Sequence, residues 1–559
     1  MLATMPQPTP FAPSSTTLTR RQHLQWLAAL GMASQLPFAR AAELPLSPWP
    51  VSEDLFGLGV ASGEPLSDRV VLWTRLLPSS AQPLLAAATV QWEVAHDEQF
   101  QRIVQRGQAT ASPDWGHSVH VDAQGLDADR WYHFRFHCNG QTSAAGRTRT
   151  APAAGAAVSR LRLVFASCQR WEHGYYAAWR HARNDDPDLV LFLGDYIYEY
   201  ASPKANSSHA KTREQLASMA RLHPLHYPLN LQDYRDRYAL HTSDPDLQAM
   251  HAHCPWLVTW DDHEVENDYA ALQGVGDAAA FAGKRLAAYQ AFFENMPLRA
   301  SAAAKQSLAA AQLPAYFAKP SLYRQWAWGR LADLQMLDAR QHRDIQACRT
   351  PGEKNAGSVK PADCADLQSN TRSFLGWEQE RWLANALQSN AASRPEGKRW
   401  NVICQQTLFC ERHYPNGRVS TDSWGGYPAA RQRLINAMAL AAPRNTVLLG
   451  GDIHQNYVCR IENPQAPDAA QRVVASEFCG TSISSHSGTT QAMVDAIVAR
   501  NPQLLFARCE ERGYGLCDIT PNLWTTQLRT VVDPLRADSG IRTQARFVVQ
   551  DRLAGPQAA

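Results

Sequence analysis

Four segments of this chain that look like buried strands each end in side chains that can ligate a metal ion. The apolar runs are Leu161 to Ala166, Leu189 to Leu193, Trp256 to Thr259 and Thr446 to Leu449. They are followed by Cys168, by Asp195 and Tyr198, by Asp262 and His263, and by Asp452 and His454. Because α/β sheets place functional groups at the carboxyl ends of their strands, we expect these side chains to meet. Thiol, carboxylate, phenol and imidazole groups in this arrangement predict a metal centre.

The length and local patterns of the chain predict two domains. A chain of 559 residues exceeds the usual size of a single hydrophobic core. Residues 42–150 carry short strand patterns separated by turn residues, which predict a β-sandwich of immunoglobulin or fibronectin type III kind. After a small-residue linker at 151–158, residues 159–545 alternate apolar strands with helical stretches and predict a layered α/β domain. Residues 546–559 are interpreted as a C-terminal tail.

The N-terminal segment is typical of an export signal. Arg20 and Arg21 lie in a Thr-Arg-Arg-Gln-His-Leu sequence that is similar to a twin-arginine motif, and a modest apolar stretch follows them. Ala39-Arg-Ala41 then offers a small-x-small cleavage site. We therefore predict that residues 1–41 are a signal peptide, that the twin-arginine export machinery is a partner, and that the protein is periplasmic or secreted. An amphipathic first helix is the alternative interpretation.

Composition argues against two classes of partner. No run of about 18 apolar residues occurs, so we expect no membrane span after maturation. The formal net charge of +2 gives no indication of a specific nucleic-acid partner.

The cysteines are divided between a predicted ligand, predicted disulfides and buried side chains. The chain has 11 cysteines, an odd number, and Cys168 is assigned to the metal centre. Cys348 and Cys364 flank a polar loop and are the first candidate disulfide. Cys509 and Cys517 are the second candidate.

The Gly194-Asp195-Tyr-Ile-Tyr198 segment indicates which metal one side of the centre prefers. An aspartate at a strand end can bridge two metals, and Tyr198 can turn back to the same site. A phenol with a pKa of about 10 ligates at neutral pH only where a strong Lewis acid holds it ionised. With the Cys168 thiolate and the His454 imidazole, this set favours Fe³⁺. The alternatives are that Tyr198 is a packed aromatic beside Tyr196 and that Cys168 is a small buried residue.

The other side of the centre is predicted to be rich in oxygen ligands. Asp195 can bridge into it, and Asp262, Asp452 and the nearby Asn267 can complete it. Three carboxylates and an amide form a hard site, which favours Ca²⁺ over zinc. Glu264 is expected to orient the His263 imidazole.

The order of these segments resembles that of the calcineurin-like metallophosphoesterases. That superfamily has Asp-x-His, Gly-Asp, Gly-Asn-His-Glu and Gly-His-x-His in turn. This chain has Ser167-Cys-Gln169, Gly194-Asp195, Asp261-Asp-His-Glu264 and Gly451-Asp-Ile-His454 at those places. A further histidine of the superfamily is replaced by a glutamine in the Gln405-Gln406 pair.

These replacements resemble those of the alkaline phosphatase D (PhoD-like) family. The resemblance extends from about residue 57 to 520 and includes Gly59-Val-Ala-Ser-Gly-Glu-Pro65, Leu337-Asp-Ala-Arg-Gln341, Trp424-Gly-Gly-Tyr-Pro428 and Thr481-Ser-Ile-Ser-Ser485. A twin-arginine leader is also a trait of the family. The chain departs from the family at Gly425, where we expect an aspartate, at Ala339 and at His342. Of these, Gly425 is the departure most able to alter substrate contacts.

The resemblance implies a fold, an activity and a set of roles. The fold is the calcineurin-like layered sandwich of mixed sheets flanked by helices, with the β-sandwich at the N-terminus. The activity is hydrolysis of small phosphomonoesters and phosphodiesters by a hydroxide or oxide held between one iron and one or two calcium ions. His263 would protonate the leaving oxygen or stabilise the transition state, and Asp195 would act with it. Arg170 and Arg340 are candidate phosphate contacts, although arginine is also common on solvated surfaces.

Two alternatives differ from this interpretation. A dedicated phosphodiesterase would need a deeper pocket, which the sequence does not reveal. A binding protein would hold an inactive metal site and attach to cell-wall polymers or phosphate.

Overall fold

The computed structural model describes residues 53–78, 86–202, 218–392, 398–440, 445–468 and 471–559. The signal peptide predicted for residues 1–41 lies outside them, so its assignment stays a prediction. The described residues all fall within one unit, Leu46–Ala559. None of the described helices is both long and apolar enough to cross a membrane.

The described residues begin with eight short strands, which precede the first α-helix. The first part contains β1 (Val60–Gly63), β2 (Arg69–Arg75), β3 (Ala88–Ala95), β4 (Ile103–Ala111), β5 (Ser118–Gln124), β6 (Trp131–Cys138), β7 (Gln141–Thr142) and β8 (Gly146–Arg149). The central part contains β9 (Leu161–Ala166), α1 (Ala177–Asn184), β10 (Leu189–Phe192), α2 (Leu231–Thr242), α3 (Pro245–His251), β11 (Trp256–Val258), α4 (Ala278–Asn295), α5 (Arg299–Ser307), α6 (Leu313–Ala318), β12 (Arg324–Trp328), β13 (Ala332–Met336) and β14 (Ser358–Val359). The last part contains α7 (Trp377–Ala392), β15 (Trp400–Cys404), β16 (Val419–Ser420), α8 (Pro428–Leu440), β17 (Thr446–Gly450), β18 (Asn456–Glu462), β19 (Val473–Cys479), α9 (Gln491–Val498), β20 (Leu504–Arg508), β21 (Gly513–Ile519), β22 (Leu523–Val531), β23 (Ile541–Gln550) and β24 (Leu553–Ala558).

The four strands predicted to carry the site are confirmed as β9, β10, β11 and β17. They belong to two large sheets. One has the strand order β24-β23-β22-β21-β9-β10-β11-β1-β2-β5, and the other has the order β12-β13-β15-β17-β19-β18-β20. Strands β9 to β11 run parallel, as do β13, β15, β17 and β19. The loops that follow these strands therefore leave each sheet at one edge.

The two sheets pack face to face with helices on their outer sides. Strand β9 shows this in its alternation: Leu163 and Phe165 point to the core between the sheets, whereas Val164 points to the core beneath the first group of helices. A separate core lies between the second sheet and helices α7, α8 and α9, where Leu383 and Leu434 pack. The layers are therefore helix, sheet, sheet and helix, which confirms the predicted layered sandwich.

The N-terminal strands form the predicted β-sandwich, but one of its two sheets is shared. Strands β3, β4, β6, β7 and β8 form a sheet of their own, and Val94 and Phe134 from it pack against Leu72 and Val119 of β2 and β5. Strands β1, β2 and β5 continue the ten-stranded sheet, because β1 pairs with β11. The sandwich is thus joined to the α/β region by hydrogen bonds between strands.

The segment predicted as a C-terminal tail is part of the ten-stranded sheet. Residues 546–559 lie mostly in β23 and β24, which pair with each other, and β23 also pairs with β22. Phe547 and Val549 are buried in the core between the two large sheets. Phe547 and Val549 are two residues apart and therefore lie on the same face of β23, which gives the segment one buried face that a tail would not have.

One of the two candidate disulfides is present. Cys348 and Cys364 are bonded, with their Cα atoms 6.0 Å apart. Cys509 and Cys517 are buried free cysteines, so the second pairing was wrong. Cys517 lies within β21 with its sulfur beside the Thr526 hydroxyl, whereas Cys509 lies beside the Thr489 carbonyl.

Candidate metal centre

The predicted ligands meet at the carboxyl ends of β9, β10, β11 and β17. Their loops bend sharply there, because Cys168, Asp195, Asp452 and His454 have φ values of 61°, 57°, 65° and 55°. Residues other than glycine rarely adopt this left-handed backbone conformation, which costs on the order of 1–3 kcal/mol at each residue. Such concentrated strain is typical of a functional site, where the packing of the surrounding structure maintains it.

Gly194 allows two of these loops to approach each other closely. Its φ is 114°, and a Cβ atom added there would lie 2.4 Å from the Cβ atom of Asp261. Any side chain at this position would push the loop after β10 away from the loop after β11. The glycine therefore sets the separation between Asp195 and the Asp261-Asp262 pair.

Cys168, Asp195 and His454 form the first ligand group, with one ligand atom of each within 4.8 Å of the others. Tyr198 joins this group through its hydroxyl, which lies 2.8 Å from Asp195 Oδ2 and 3.0 Å from His454 Nε2. A third contact of the Tyr198 hydroxyl comes from the Ser485 hydroxyl, which lies 2.9 Å away. The structure thus brings together the four side chains predicted to form the iron site.

The orientation of His454 leaves one nitrogen facing this group. Its Nδ1 lies 2.7 Å from the carbonyl oxygen of His486, which can only accept a hydrogen bond. Nδ1 therefore carries the proton, and Nε2 presents its lone pair. Burial, with the nearby Arg512 cation, lowers the pKa of His454 to about 3, so the ring is neutral as a metal ligand requires.

The thiol and the phenol of this group are neutral in the absence of a cation. Burial raises the pKa of Cys168 well above its ordinary value, and the Asp195 carboxylate raises it further. Burial and then the same carboxylate raise the pKa of Tyr198 in the same direction. A cation that binds both side chains must therefore displace their protons.

The second ligand group consists of carboxylates that share Asp262. Ligand atoms lie within 4.8 Å of one another in three sets: Asp195, Asp262 and His263; Asp261, Asp262 and Asp452; and Asp262, Asp268 and Asp422. Asp262 Oδ1 and Asp261 Oδ2 are buried and accept no hydrogen bond from the described residues. Buried carboxylates this close together repel one another unless cations lie between them. The donor set therefore fits hard divalent cations.

Arg340 lies inside this carboxylate group and not in a position to meet substrate. Its guanidinium is 1% exposed and donates to Asp261, to Asp422 at 2.7 Å and to Asp452 at 3.3 Å. All three of its nitrogens are thus occupied by carboxylates. This placement contradicts the predicted role of Arg340 as a phosphate contact and makes it a buried counter-ion.

Asn267 is not brought into the carboxylate group by any described contact. It is exposed, and its side-chain oxygen accepts a hydrogen bond from the Tyr200 hydroxyl at 3.0 Å. The next residue, Asp268, lies in the group instead, and its backbone N–H donates to Asp262 Oδ2 at 2.7 Å. Because Asp268 is one residue further along the turn than Asn267, it is Asp268 that joins the carboxylate group.

His263 is held by a different glutamate from the one predicted. Its Nδ1 lies 2.7 Å from Glu199 Oε2, so the ring donates to that carboxylate and leaves Nε2 available. Burial lowers the pKa of His263, but the Glu199, Asp195 and Asp262 carboxylates outweigh burial and raise it well above its usual range. Glu264 instead accepts hydrogen bonds from the backbone N–H groups of Asp195, Tyr196 and Asp261 at 3.2, 2.6 and 2.8 Å. Its role is to hold the loops of the site together.

Arg170 lies at the margin of the first ligand group. Its guanidinium carbon is 4.7 Å from the centre of the Tyr200 ring and 5.9 Å from that of Tyr198. One nitrogen, Nε, donates to Glu172 at 3.3 Å. The remaining nitrogens leave the predicted phosphate contact open, and it stays a prediction.

Several residues of the site were not singled out from the sequence. Asp422 is close to the Trp424 segment and Ser485 ends the Thr481 segment, so both were near quoted motifs, but neither was assigned a role. Thr407 donates to Asp452 Oδ2 at 2.7 Å and directly follows the glutamine pair. Gln406 itself donates to the Leu337 carbonyl at 2.8 Å and ties β15 to the neighbouring loops.

Comparison with known families covers both parts of the chain. A family model described as PhoD-like phosphatase matches residues 163–528. A second, described as PhoD-like phosphatase, N-terminal domain, matches residues 41–152. The first match contains every predicted ligand and His263.

Individual relatives agree with these matches. Alkaline phosphatase D of Bacillus subtilis (strain 168) is 40% identical over 513 residues, which cover 89% of this chain and 82% of the relative. A solved structure of PhoD superposes with a TM-score of 0.79 at 39% identity, covering 92% of this chain and 93% of that one. Purple acid phosphatase PPD1 from yellow lupin (Lupinus luteus) seeds gives a TM-score of 0.50 at 12% identity, over 88% of this chain and 74% of that one. The last likeness concerns the fold alone.

Proposed function

Because this chain belongs to the PhoD-like phosphatase family and is a phosphoric ester hydrolase, we propose that it is an exported enzyme that uses iron and calcium to hydrolyse phosphomonoesters and phosphodiesters. The hydrolase activity follows from the family. The metals, the export route and the action on diesters are parts of the proposal. Export rests on the Arg20-Arg21 segment and the cleavage site after it.

The observation that carries the metal assignment is the position of Asp195 between two unlike ligand groups. It lies with Cys168 and His454 on one side and with Asp262 and His263 on the other. The first side offers a thiol, an imidazole and a phenol, which suit Fe³⁺, and the second offers carboxylates, which suit Ca²⁺. Asp262 belongs to three carboxylate sets, which accommodates one or two calcium ions.

The cations, His263 and Arg170 have different roles in the proposed reaction. Bound cations would neutralise phosphate oxygens and activate water for attack on phosphorus. His263 is placed to give the proton on Nε2 to the leaving oxygen, since Glu199 holds Nδ1 and favours the charged ring. Arg170, whose guanidinium carbon lies 5.9 Å from the centre of the Tyr198 ring, would contact phosphate oxygens.

Metal analysis combined with paired substrates tests this proposal. We expect protein purified from its native compartment to contain iron and calcium, and to hydrolyse both nitrophenyl phosphate and bis-nitrophenyl phosphate. Removal of each metal should abolish both activities, and its return should restore them. Zinc as the sole metal of a fully active preparation would contradict the metal assignment, and turnover of diesters alone would make the protein a dedicated phosphodiesterase.

A further inference from the structure

A cavity of about 610 Å³ lies beside His263, and we call it the side cavity. It is lined by residues from several separate segments, among them Glu199, Tyr200, Tyr227, Asp268, Phe281 and Lys284. Neither the ligand groups nor the proposed action of His263 accounts for it.

The side cavity adjoins the face of the site where the leaving group would depart. Glu199 lines it and also holds His263 Nδ1. The ring of Tyr200, another lining residue, lies 5.2 Å from the His263 ring in an edge-to-face arrangement. Asp268 lines the cavity and belongs to the carboxylate group. A phosphate between the ligand groups and His263 would thus have the side cavity next to its leaving oxygen.

The surface of the side cavity suits an apolar ring more than a small alcohol. Tyr200, Tyr227 and Phe281 provide aromatic surface. Leu229 and Val275, which also line it, are 70% and 41% exposed among the described residues and add apolar surface that a bound ring would cover.

Two carboxylates of the side cavity are paired within the protein, and Asp268 and Lys354 also line it. Glu199 is paired with His263, and Glu266 with Lys284. The Lys284 ammonium also donates to the Tyr227 hydroxyl at 2.6 Å. Because Glu199 and Glu266 are paired, these two carboxylates present little net charge to an uncharged ring.

We propose that the side cavity binds the alcohol part of the substrate and that this part carries an aromatic or heteroaromatic ring, a proposal that rests on the phosphoesterase function above. In the reaction, a water molecule gives its hydroxide to phosphorus and its other proton to solvent, from which His263 is later reprotonated, and the bond from phosphorus to the ester oxygen breaks. That oxygen takes the proton of His263, and the neutral ring-bearing alcohol remains in the side cavity until it dissociates.

A matched pair of substitutions tests the proposal. Ala280 at the start of α4 is exposed and lines the side cavity, whereas Ala279 is equally exposed but does not line it. Asp277 accepts hydrogen bonds from the backbone N–H groups of both residues, so both substitutions lie in the same capped first turn of α4. Ala280→Trp should fill the cavity, and Ala279→Trp is the control.

The readouts compare ring-bearing with small ligands on the metal-loaded enzyme. Ala280→Trp should lower kcat/KM for phenyl phosphate at least tenfold and change that for methyl phosphate less than twofold. By calorimetry, the wild type should bind phenylphosphonate at least tenfold more tightly than methylphosphonate, and Ala280→Trp should remove that preference. Ala279→Trp should behave as the wild type does.

The outcomes separate the side cavity from the proposed function. Equal losses for both esters, or no preference for phenylphosphonate in the wild type, would overturn the side-cavity proposal. If the wild type hydrolyses no phosphoester, the proposed function fails, and the calorimetric comparison still decides whether the side cavity binds a ring.

Discussion

Glu199 and His263 are 64 residues apart in the chain, yet Glu199 Oε2 lies 2.7 Å from His263 Nδ1. Glu199 follows Tyr198, so the loop after β10 provides both a metal-ligand candidate and the carboxylate that fixes the proposed acid. This pairing orients the imidazole, keeps its proton on Nδ1 and stabilises the charged ring. The adjacent Glu264 has no such contact and instead accepts hydrogen bonds from the backbone of the site loops.

Replacing Glu199 with glutamine should weaken the acid without removing it. A neutral amide beside Nδ1 lowers the pKa of His263 and orients its ring less firmly, and losses of such supporting groups typically cost about 10- to 100-fold. We therefore expect Glu199→Gln to lower kcat on alkyl phosphates by that factor and to move the alkaline limb of the pH–rate profile to lower pH. Glu264→Gln should instead reduce metal content. An unchanged pH profile in Glu199→Gln would show that the pair does not control protonation.

Replacing His263 with alanine separates acid catalysis from metal binding. General acid assistance is typically worth about 10² to 10⁴ in rate, and a poor leaving group needs it most. His263→Ala should keep both metals and lose most of its activity on alkyl phosphoesters, but less on nitrophenyl esters. Metal content and the rates on both substrates check this. Equal losses on both would make His263 a general electrostatic stabiliser, and loss of metal would make it a ligand.

Tyr198 should give the iron-loaded protein a colour. A phenolate bound to Fe³⁺ produces a ligand-to-metal charge-transfer band, and the structure places the Tyr198 hydroxyl 2.8 Å from Asp195 and 3.0 Å from His454. Tyr198→Phe should weaken or shift this visible band and lower the iron content. Tyr196→Phe is the control, since the Tyr196 hydroxyl instead contacts His251. A colourless, fully active wild type that contains iron would contradict phenolate ligation.

The sequence predicted the positions of the ligand-bearing strand ends well because that information is local. An apolar run followed by Cys168 or Asp195 identifies both a strand and the residue at its end. The contacts of Glu199 and Arg340 depend on which distant loops meet. For His263, adjacency in sequence favoured Glu264 as the partner, whereas the structure shows Glu199. For Arg340, the sequence favoured a contact with substrate, whereas the structure shows buried carboxylates. Asn267 and Asp268 differ by one position in a turn, where no periodic pattern indicates which side chain points inward.

Arg340 should stabilise the fold and be needed least when calcium is bound. Its removal leaves the Asp261 and Asp452 carboxylates without their buried counter-ion, whereas Asp422 keeps its pair with Arg343. Breaking such a buried pair typically costs about 3–5 kcal/mol of the free energy of unfolding. Arg340→Ala should show this loss in denaturant titrations with chelator present and recover part of it when Ca²⁺ is added. A variant of normal stability with a raised KM for phosphate esters would restore Arg340 as a substrate contact.

Iron binding should release protons and strengthen as pH rises. Cys168 and Tyr198 have raised pKa values in the metal-free protein, so both are neutral near pH 7 and must lose their protons to ligate. The stability of the metal-free protein, in contrast, falls as the pH rises. A buried thiol with a raised pKa contributes stability below its ordinary value of 9.0, and this contribution is lost as the pH rises above that value.

The metal-free protein should therefore lose thermal stability as the pH rises above about 9, whereas the iron-loaded protein should resist this loss. Calorimetric titration of the metal-free protein with iron in two buffers of different ionisation enthalpy measures the protons released. We expect one proton fewer for Cys168→Ser and for Tyr198→Phe than for the wild type, since each variant removes one proton that iron displaces. Cys254→Ser is the control, because Cys254 is a buried free cysteine between α3 and β11 and belongs to none of the ligand groups found among the described residues. Equal proton release from the wild type and all three variants would mean that neither the thiol nor the phenol ligates the metal.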